Sequence, residues 1–316
     1  METSPEKCVF SHENGNLCCI SQVLDEAGLQ GVKVLAADTV GPSTGLIDAM
    51  MADPELCKAT YAITTHVTGR LQGTGEFIPA AQALGLPLVA SEEHIGLPDP
   101  SDLPMWEWTA AQQWALTLNR NFIDNKEVGS WLWSLIFSWY GGLAYDGKGF
   151  FTANRPWSGS YSLPPFVQVT MQHTQFYSLG WRYLNTSSTL AYPGVKNQST
   201  CFQGKRGKVC SEREASFVAL VSPDGDDFSV VVETALIPTD ALPGALIFGL
   251  HGRLGQRWSK KELVCRRTTN ASTFELLPNI RVASDGTFSV PVVGDAVISV
   301  SSRSGQVTAL LNASVI

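Results

Sequence analysis

LPLVASEE (86–93) is the stretch whose reading decides the fold. An apolar run, Leu88 to Ala90, stops at two adjacent acids, Glu92 and Glu93. A short apolar run of this kind reads as a buried strand. Two upstream runs have the same form, VKVLAADT (32–39) and YAITTHV (61–67). Between them lie helical patterns: Ile20 to Ala27, LIDAMMADPELCKA (46–59) with Pro54 interrupting, and FIPAAQALG (77–85) stopped by Gly85. WTAAQQWALTLNRNFID (108–124) is an amphipathic helix, and WLWSLIFSW (131–139) reads as a fourth strand. Alternating strands and helices predict a parallel sheet with helical crossovers.

The chain changes character near residue 160. FVQVTMQHTQFY (166–177), SFVALVSPDGDDFSVVVET (216–234), ALIFGLHG (245–252) and TFSVPVVGDAVISVSS (287–302) are alternating or β-branched runs. SPDGDD (222–227) and ASDGT (283–287) read as hairpin turns, because Asp-Gly tolerates the positive φ that tight turns need. This half predicts an antiparallel β-sandwich.

The 316 residues are 44% hydrophobic and 16% charged, room for one large domain or two smaller ones. A net charge of −7 argues against nucleic acid or an anionic membrane as main partner, since both call for a basic surface. The 9 tryptophans and 7 tyrosines suit a core, and also suit sugar binding, where flat rings stack on sugar faces. METSPEKCVF lacks the charged-then-apolar order of a signal peptide. The longest apolar-rich run, Trp131 to Ala144, is too short to span a bilayer and predicts a buried strand, with Trp131 and Trp133 in the core. The 7 cysteines form no CxxC pair and no zinc-spaced cluster, so no metal or organic cofactor is implied. Cys201 and Cys210 bracket the basic loop FQGKRGKV, as a hairpin disulfide or as two thiols. Sequons open at Asn185, Asn197, Asn270 and Asn312; they lean towards a secretory route and predict a natural start upstream of Met1.

Asp38, His66 and Glu92 stand at the ends of three successive strands, and the fourth carries Trp133 and Ser138. In a strand-helix barrel the C-terminal strand ends face one common pocket. Each residue alone suits a helix cap or a satisfied polar strand end; three in a row predict a site. Four such units make half of an eight-stranded barrel, so the expectation is an open sheet or a partial barrel. With Glu92 reactive, glycoside hydrolysis is the natural chemistry; it needs two carboxylates, about 5 Å apart when configuration is retained. Other mechanisms lack their motifs: there is no G-x-S-x-G, no P-loop and no HExxH, and GRLQGTGEF (69–77) is not a dinucleotide fingerprint.

The segment 118–161, above all NRPWSGSY (154–161), and the HTQF…GWRYL segment (173–184) resemble glycoside hydrolase family 59, the galactosylceramidases. VKVLAADT, DPELCKA (53–59), TTHVTG (64–69) and VASEE (89–93) match that family in the same order. The resemblance implies the second half of a (β/α)8 TIM barrel followed by a β-sandwich: an unmatched segment 1–20, a partial barrel 21–158 and a sandwich 159–316. It implies a retaining β-galactosidase that hydrolyses galactosylceramide to galactose and ceramide, a lysosomal setting, and a saposin-type lipid-presenting partner. By the resemblance Glu92 of Ser91-Glu92-Glu93 is the nucleophile, and Glu93 stands where the family has Asp. Trp157 lines the galactose pocket, and His66 ends the family's sixth strand. Asp38, from the strand-end reading, joins Trp157, His66 and Glu93 as substrate-binding.

The chain departs from the family pattern in several places. The acid/base Glu, which follows an Asn after the family's fourth strand, is expected near Val9, where no Asn-Glu pair stands; Glu13 is the nearby acid. The first three strands, the C-terminal lectin-like domain and an arginine after the Ile-Glu-Thr strand have no counterpart; VVETALIPTDALPGALIF (231–248) holds no Arg. Met105 stands near one expected cysteine of the family's disulfide, and an extra loop spans about 185 to 213. Little or no turnover is therefore expected of this chain. The competing readings are a non-catalytic carbohydrate-binding protein and a glycosidase of a related family acting on other β-galactosides. An open sheet with unpaired edges also predicts poor solubility or oligomerisation.

Overall fold

The computed structural model describes residues 15–39, 43–66, 77–93, 107–137, 149–190, 199–204, 207–212, 214–241 and 243–305. Its contacts divide into two compact units, Met1–Glu93 with Asp124–Leu132, and His94–Ile123 with Trp133–Ile316. No described helix is long and apolar enough to cross a membrane.

The first unit runs α1 (Gly15–Glu26), β1 (Leu35–Ala36), α2 (Thr44–Ala52), α3 (Pro54–Ala59), β2 (Ala62–His66), α4 (Phe77–Ala83), β3 (Leu88–Glu93) and, after a helix of the other unit, β4 (Glu127–Leu132). The four strands form one parallel sheet in the order β1-β2-β3-β4. Its core gathers Ile63 and Leu88 of the sheet with Leu46, Ile47, Met50 and Leu56 of the helices. Full burial of each such side chain contributes about 1.5–3 kcal/mol. Pro54 breaks the helical run as the sequence predicts. It has no N–H to continue α2, and Asp53 caps the new helix by accepting from the backbone of Glu55 at 2.9 Å and Leu56 at 3.5 Å. Gly85 follows α4 with φ +71°, a left-handed stop open to glycine at no steric cost.

The fourth strand differs from expectation. β4 lies earlier, over Glu127–Leu132, and WLWSLIFSW is not one buried strand: β5 (Ile136–Phe137) is separate, Leu135 and Ile136 are exposed, and Trp131 is 52% exposed rather than packed in a core. Its apolar residues outnumber those of KEVGSWL, which hid the true strand from a reading based on hydrophobicity.

The second unit holds α5 (Trp108–Asn125), assigned to it as far as Ile123, then β5, β6 (Phe151–Arg155), β7 (Ser160–Ser162), α6 (Pro165–Thr174), β8 (Arg182–Tyr183), β9 (Ser188–Leu190), β10 (Ser199–Gly204), β11 (Gly207–Glu212), β12 (Ala215–Val221) and β13 (Phe228–Glu233). It closes with β14 (Gly244–Gly249), α7 (Gly252–Trp258), β15 (Glu262–Thr269), β16 (Glu275–Arg281), β17 (Thr287–Val292) and β18 (Ala296–Ser301). An antiparallel sheet β16-β15-β18-β13-β12-β8, with β9 also on β12, shares one apolar core with the β14-β17 pair. Val230, Val232, Ile298 and Val300 of the large sheet belong to the same cluster as Phe288, Val290 and Val292 of β17. Helices tie to the large sheet through polar bonds: Gln172 Nε2 donates to Thr268 at 2.8 Å, Ser299 donates to the Gln172 carbonyl at 2.6 Å, and Asn119 donates to Ser216 at 3.0 Å.

FVQVTMQHTQFY holds helix α6, not a strand. Pro165 at its first turn presets helical φ, and Phe166, Val167, Val169 and His173 bury one face. ASDGT is a turn, with Gly286 at φ +86°, but it joins β16 and β17, which belong to different sheets, so it is not a hairpin. SPDGDD does close the β12-β13 hairpin, with Gly225 at φ +73°. The β10-β11 register sets Cys201 opposite Cys210. Asn185 and Asn270 lie on exposed turns; Asn197 and Asn312 lie outside the described residues.

Candidate active site

The ends of β1, β2 and β3 bring Asp38, His66 and Glu92 together. His66 Nε2 lies 2.9 Å from Asp38 Oδ1, and His66 Nδ1 lies 3.5 Å from Glu92 Oε2. The Ser91 hydroxyl donates to the same Asp38 Oδ1 at 2.6 Å. The side chains grade from inside to outside: His66 is 13% exposed, Glu92 30% and Asp38 67%. The Ser91 hydroxyl, helped by His66, holds the Asp38 carboxyl below its ordinary range against the opposing effect of burial.

Two backbone features place these groups. Ala37, at the end of β1, has φ +70°, a left-handed conformation that costs an L-residue about 1–2 kcal/mol. That turn is pinned by Thr39 N–H to the Ala37 carbonyl at 2.7 Å and by His66 N–H to the Thr39 carbonyl at 2.9 Å. It delivers Asp38 to His66. The second feature is a bulge in β3. Thr65 pairs with Ala90 but His66 pairs with Glu92; on the other side Ser130 pairs with Ala90 and Leu132 with Glu93. So β3 carries one more residue than either neighbour between Ala90 and Glu93. In a regular strand consecutive side chains face opposite sides. The bulge suspends that rule and re-aims a side chain, so Ser91 and Glu92 both reach the Asp38–His66 pair. Glu93 is the interior member, 1% exposed.

Trp157 belongs to the second unit, on a 3-10 turn (Pro156–Ser158) between β6 and β7, and is 76% exposed. Trp133 is half-buried. Ser138, Glu13 and Met105 lie outside the described residues. An open apolar groove of about 670 Å³, lined by Met50, Met51, Cys57 and Leu84 among others, also touches Thr60 and Leu86. Those two residues precede β2 and β3, so the groove lies at the opposite strand ends from Glu92. Among the described residues no group of His, Cys, Asp and Glu could hold a metal ion. Ser91 is the member of the network that the sequence reading did not assign; a bulge depends on partner strands and leaves no local signature.

The profile of glycosyl hydrolase family 59 matches residues 11–175, just over half of the chain. The chain belongs to glycosyl hydrolase family 59. Its relatives include galactocerebrosidase of Macaca mulatta, 33% identical over 175 residues, covering 55% of this chain and 23% of that protein. Galactocerebrosidase of Danio rerio is 26% identical over 286 residues, covering 89% of this chain and 39% of that protein. The family 59 chain therefore spans well under half the length of these curated relatives. Among solved structures it is similar to the family 30 subfamily 8 xylanase of Clostridium acetobutylicum, with TM-score 0.57 and 13% identity over 89% of this chain and 60% of that one. The family 30 xylanase C catalytic domain of Talaromyces cellulolyticus gives TM-score 0.59 and 12% identity over 91% and 56%. These likenesses show a fold of mixed helix and sheet shared with those glycoside hydrolases.

Proposed function

We propose that Glu92 is the nucleophile of a retaining β-galactosidase site whose substrate is galactosylceramide. The carrying observation is the convergence of Asp38, His66 and Glu92 at one end of a parallel sheet in a chain of family 59. In this reading a Glu92 oxygen attacks the anomeric carbon, the bond to the leaving oxygen breaks, and that oxygen takes a proton from a second carboxylic acid. Water then hydrolyses the glycosyl ester and releases galactose. His66 sits behind Glu92 with Asp38 beside it, and Glu93, being buried, supports β3. By the family resemblance Trp157, exposed on the second unit, is a sugar-stacking ring. The four-stranded sheet and its helices correspond to the second half of a (β/α)8 barrel within 21–158, followed by the β-sandwich of 159–316. A secretory-lysosomal route and a saposin-type partner that presents the lipid complete the proposal.

No residue here is assigned as the proton donor. No Asn-Glu dipeptide occurs in the 316 residues. General acid help is worth about 10²–10⁴-fold, so a ceramide alkoxide leaves slowly without it. Residues 1–316 are expected to turn over an activated aryl β-galactoside weakly, and Glu92→Gln to abolish that turnover while sugar binding persists. Turnover that survives Glu92→Gln sinks the nucleophile assignment. The alternative, sugar binding without cleavage, draws on the exposed Trp157 ring; it predicts saturable galactoside binding with no turnover in either protein.

A further inference from the structure

We infer that Ser91 and Asp38 are positioning residues that act on Glu92 through His66, and that neither serves chiefly as a sugar contact. The inference rests on the proposed role of Glu92. Three observations carry it. The first is continuity: Ser91 Oγ to Asp38 Oδ1 at 2.6 Å, Asp38 Oδ1 to His66 Nε2 at 2.9 Å, His66 Nδ1 to Glu92 Oε2 at 3.5 Å. The His66 ring lies between the two carboxylates, with Nε2 towards Asp38 and Nδ1 towards Glu92, so fixing one edge of the ring fixes the edge that faces Glu92. At 3.5 Å the Glu92 contact is too long for a strong hydrogen bond. It orients the carboxylate without occupying a lone pair as tightly as a short bond does.

The second observation is the left-handed Ala37, a strained residue placed directly before Asp38. The third is the β3 bulge, which turns Ser91 and Glu92 towards the same pair of side chains. Both features lie next to residues of this one chain of contacts. Asp38 is held from two sides through a single oxygen, an arrangement suited to fixing a ring and poorly suited to following a mobile ligand.

The test uses residues 1–316 and 2-deoxy-2-fluoro-β-galactosyl fluoride, whose good leaving group needs no general acid. The inactivation rate constant at saturation and the half-saturating concentration are measured separately for the parent, Asp38→Asn, Ser91→Ala and Ser91→Thr, with thermal melting to confirm folding. Asp38 is mostly exposed and Ser91→Ala removes one atom, so both variants are expected to fold. Loss of positioning predicts a fall of roughly 10- to 100-fold in the rate constant, an unchanged half-saturating concentration, and partial recovery in Ser91→Thr, which keeps the hydroxyl. A raised half-saturating concentration with an unchanged rate constant makes Asp38 a sugar contact and overturns the inference. So does a parent that is labelled while neither variant differs from it. A parent that is never labelled removes the proposed role of Glu92, and the inference falls with it.

Discussion

Glu92 and Glu93 are neighbours in the chain and differ in setting, one partly open beside His66 and the other sealed in the interior. Away from the site, two other buried groups set how the second unit responds to pH. Glu233 is wholly buried; Ser216 donates to its Oε1 at 2.5 Å and the Ala235 N–H to its Oε2 at 3.1 Å, yet burial dominates and pushes its carboxyl up to about 7 from 4.5. His173 is also buried, its Nε2 has no hydrogen-bond partner among the described residues, and burial pushes it down to about 3 from 6.5. The signs oppose. A raised carboxyl contributes stability that is complete below 4.5 and lost as pH rises through 7. A depressed histidine contributes stability that is present above 6.5 and lost as pH falls towards 3. Each change between neutral pH and pH ~5 is about 2 kcal/mol, so the two nearly cancel. Glu233→Gln removes one side. Denaturant titrations of parent and variant are expected to show their stability difference moving by about 2 kcal/mol between neutral pH and pH ~5, in the parent's favour at the acid end. A difference that does not change with pH contradicts the burial account.

At the scale of elements, the proposed site lies at the strand ends, and the turn at Ala37 delivers Asp38 to it. Glycine at a left-handed position relieves about 1–2 kcal/mol of strain and costs about 0.5–1 kcal/mol in the unfolded chain. Ala37→Gly is therefore expected to leave the melting temperature level or slightly raised. Ala37→Val, β-branched at positive φ, is expected to lower it and to slow labelling of Glu92. Equal melting temperatures for the two variants contradict the left-handed geometry. The same elements show what the sequence reveals. β2 and β3 were legible because their apolar runs are short and bounded, and α2 and α3 because Asp53-Pro54 marks a cap. α6 was not: in VQVTMQ, branched and polar residues happen to alternate, and the Pro164-Pro165 start was the better signal. β4 was displaced because tryptophan-rich sequence beside it outweighed a strand with fewer apolar residues. The bulge is a property of register between three strands, so Ser91 stayed hidden although Asp38, His66 and Glu92 were each visible as strand-end residues.

At the scale of the whole molecule, the chain belongs to glycosyl hydrolase family 59, and the strand-end cluster of Asp38, His66 and Glu92 is the site proposed for it. The profile match ends at residue 175, so the antiparallel sheets of the second unit lie almost wholly beyond it, while the Danio rerio relative aligns across 89% of the chain. The chain spans well under half the length of those relatives, and the proposed nucleophile is testable on the chain itself. Residues 1–316 are inactivated with 2-deoxy-2-fluoro-β-galactosyl fluoride, digested, and the glycosylated peptide is sequenced by mass spectrometry. The account predicts one fluorogalactosyl group esterified to Glu92. A label on Glu93, on Asp38 or on any other side chain would contradict it.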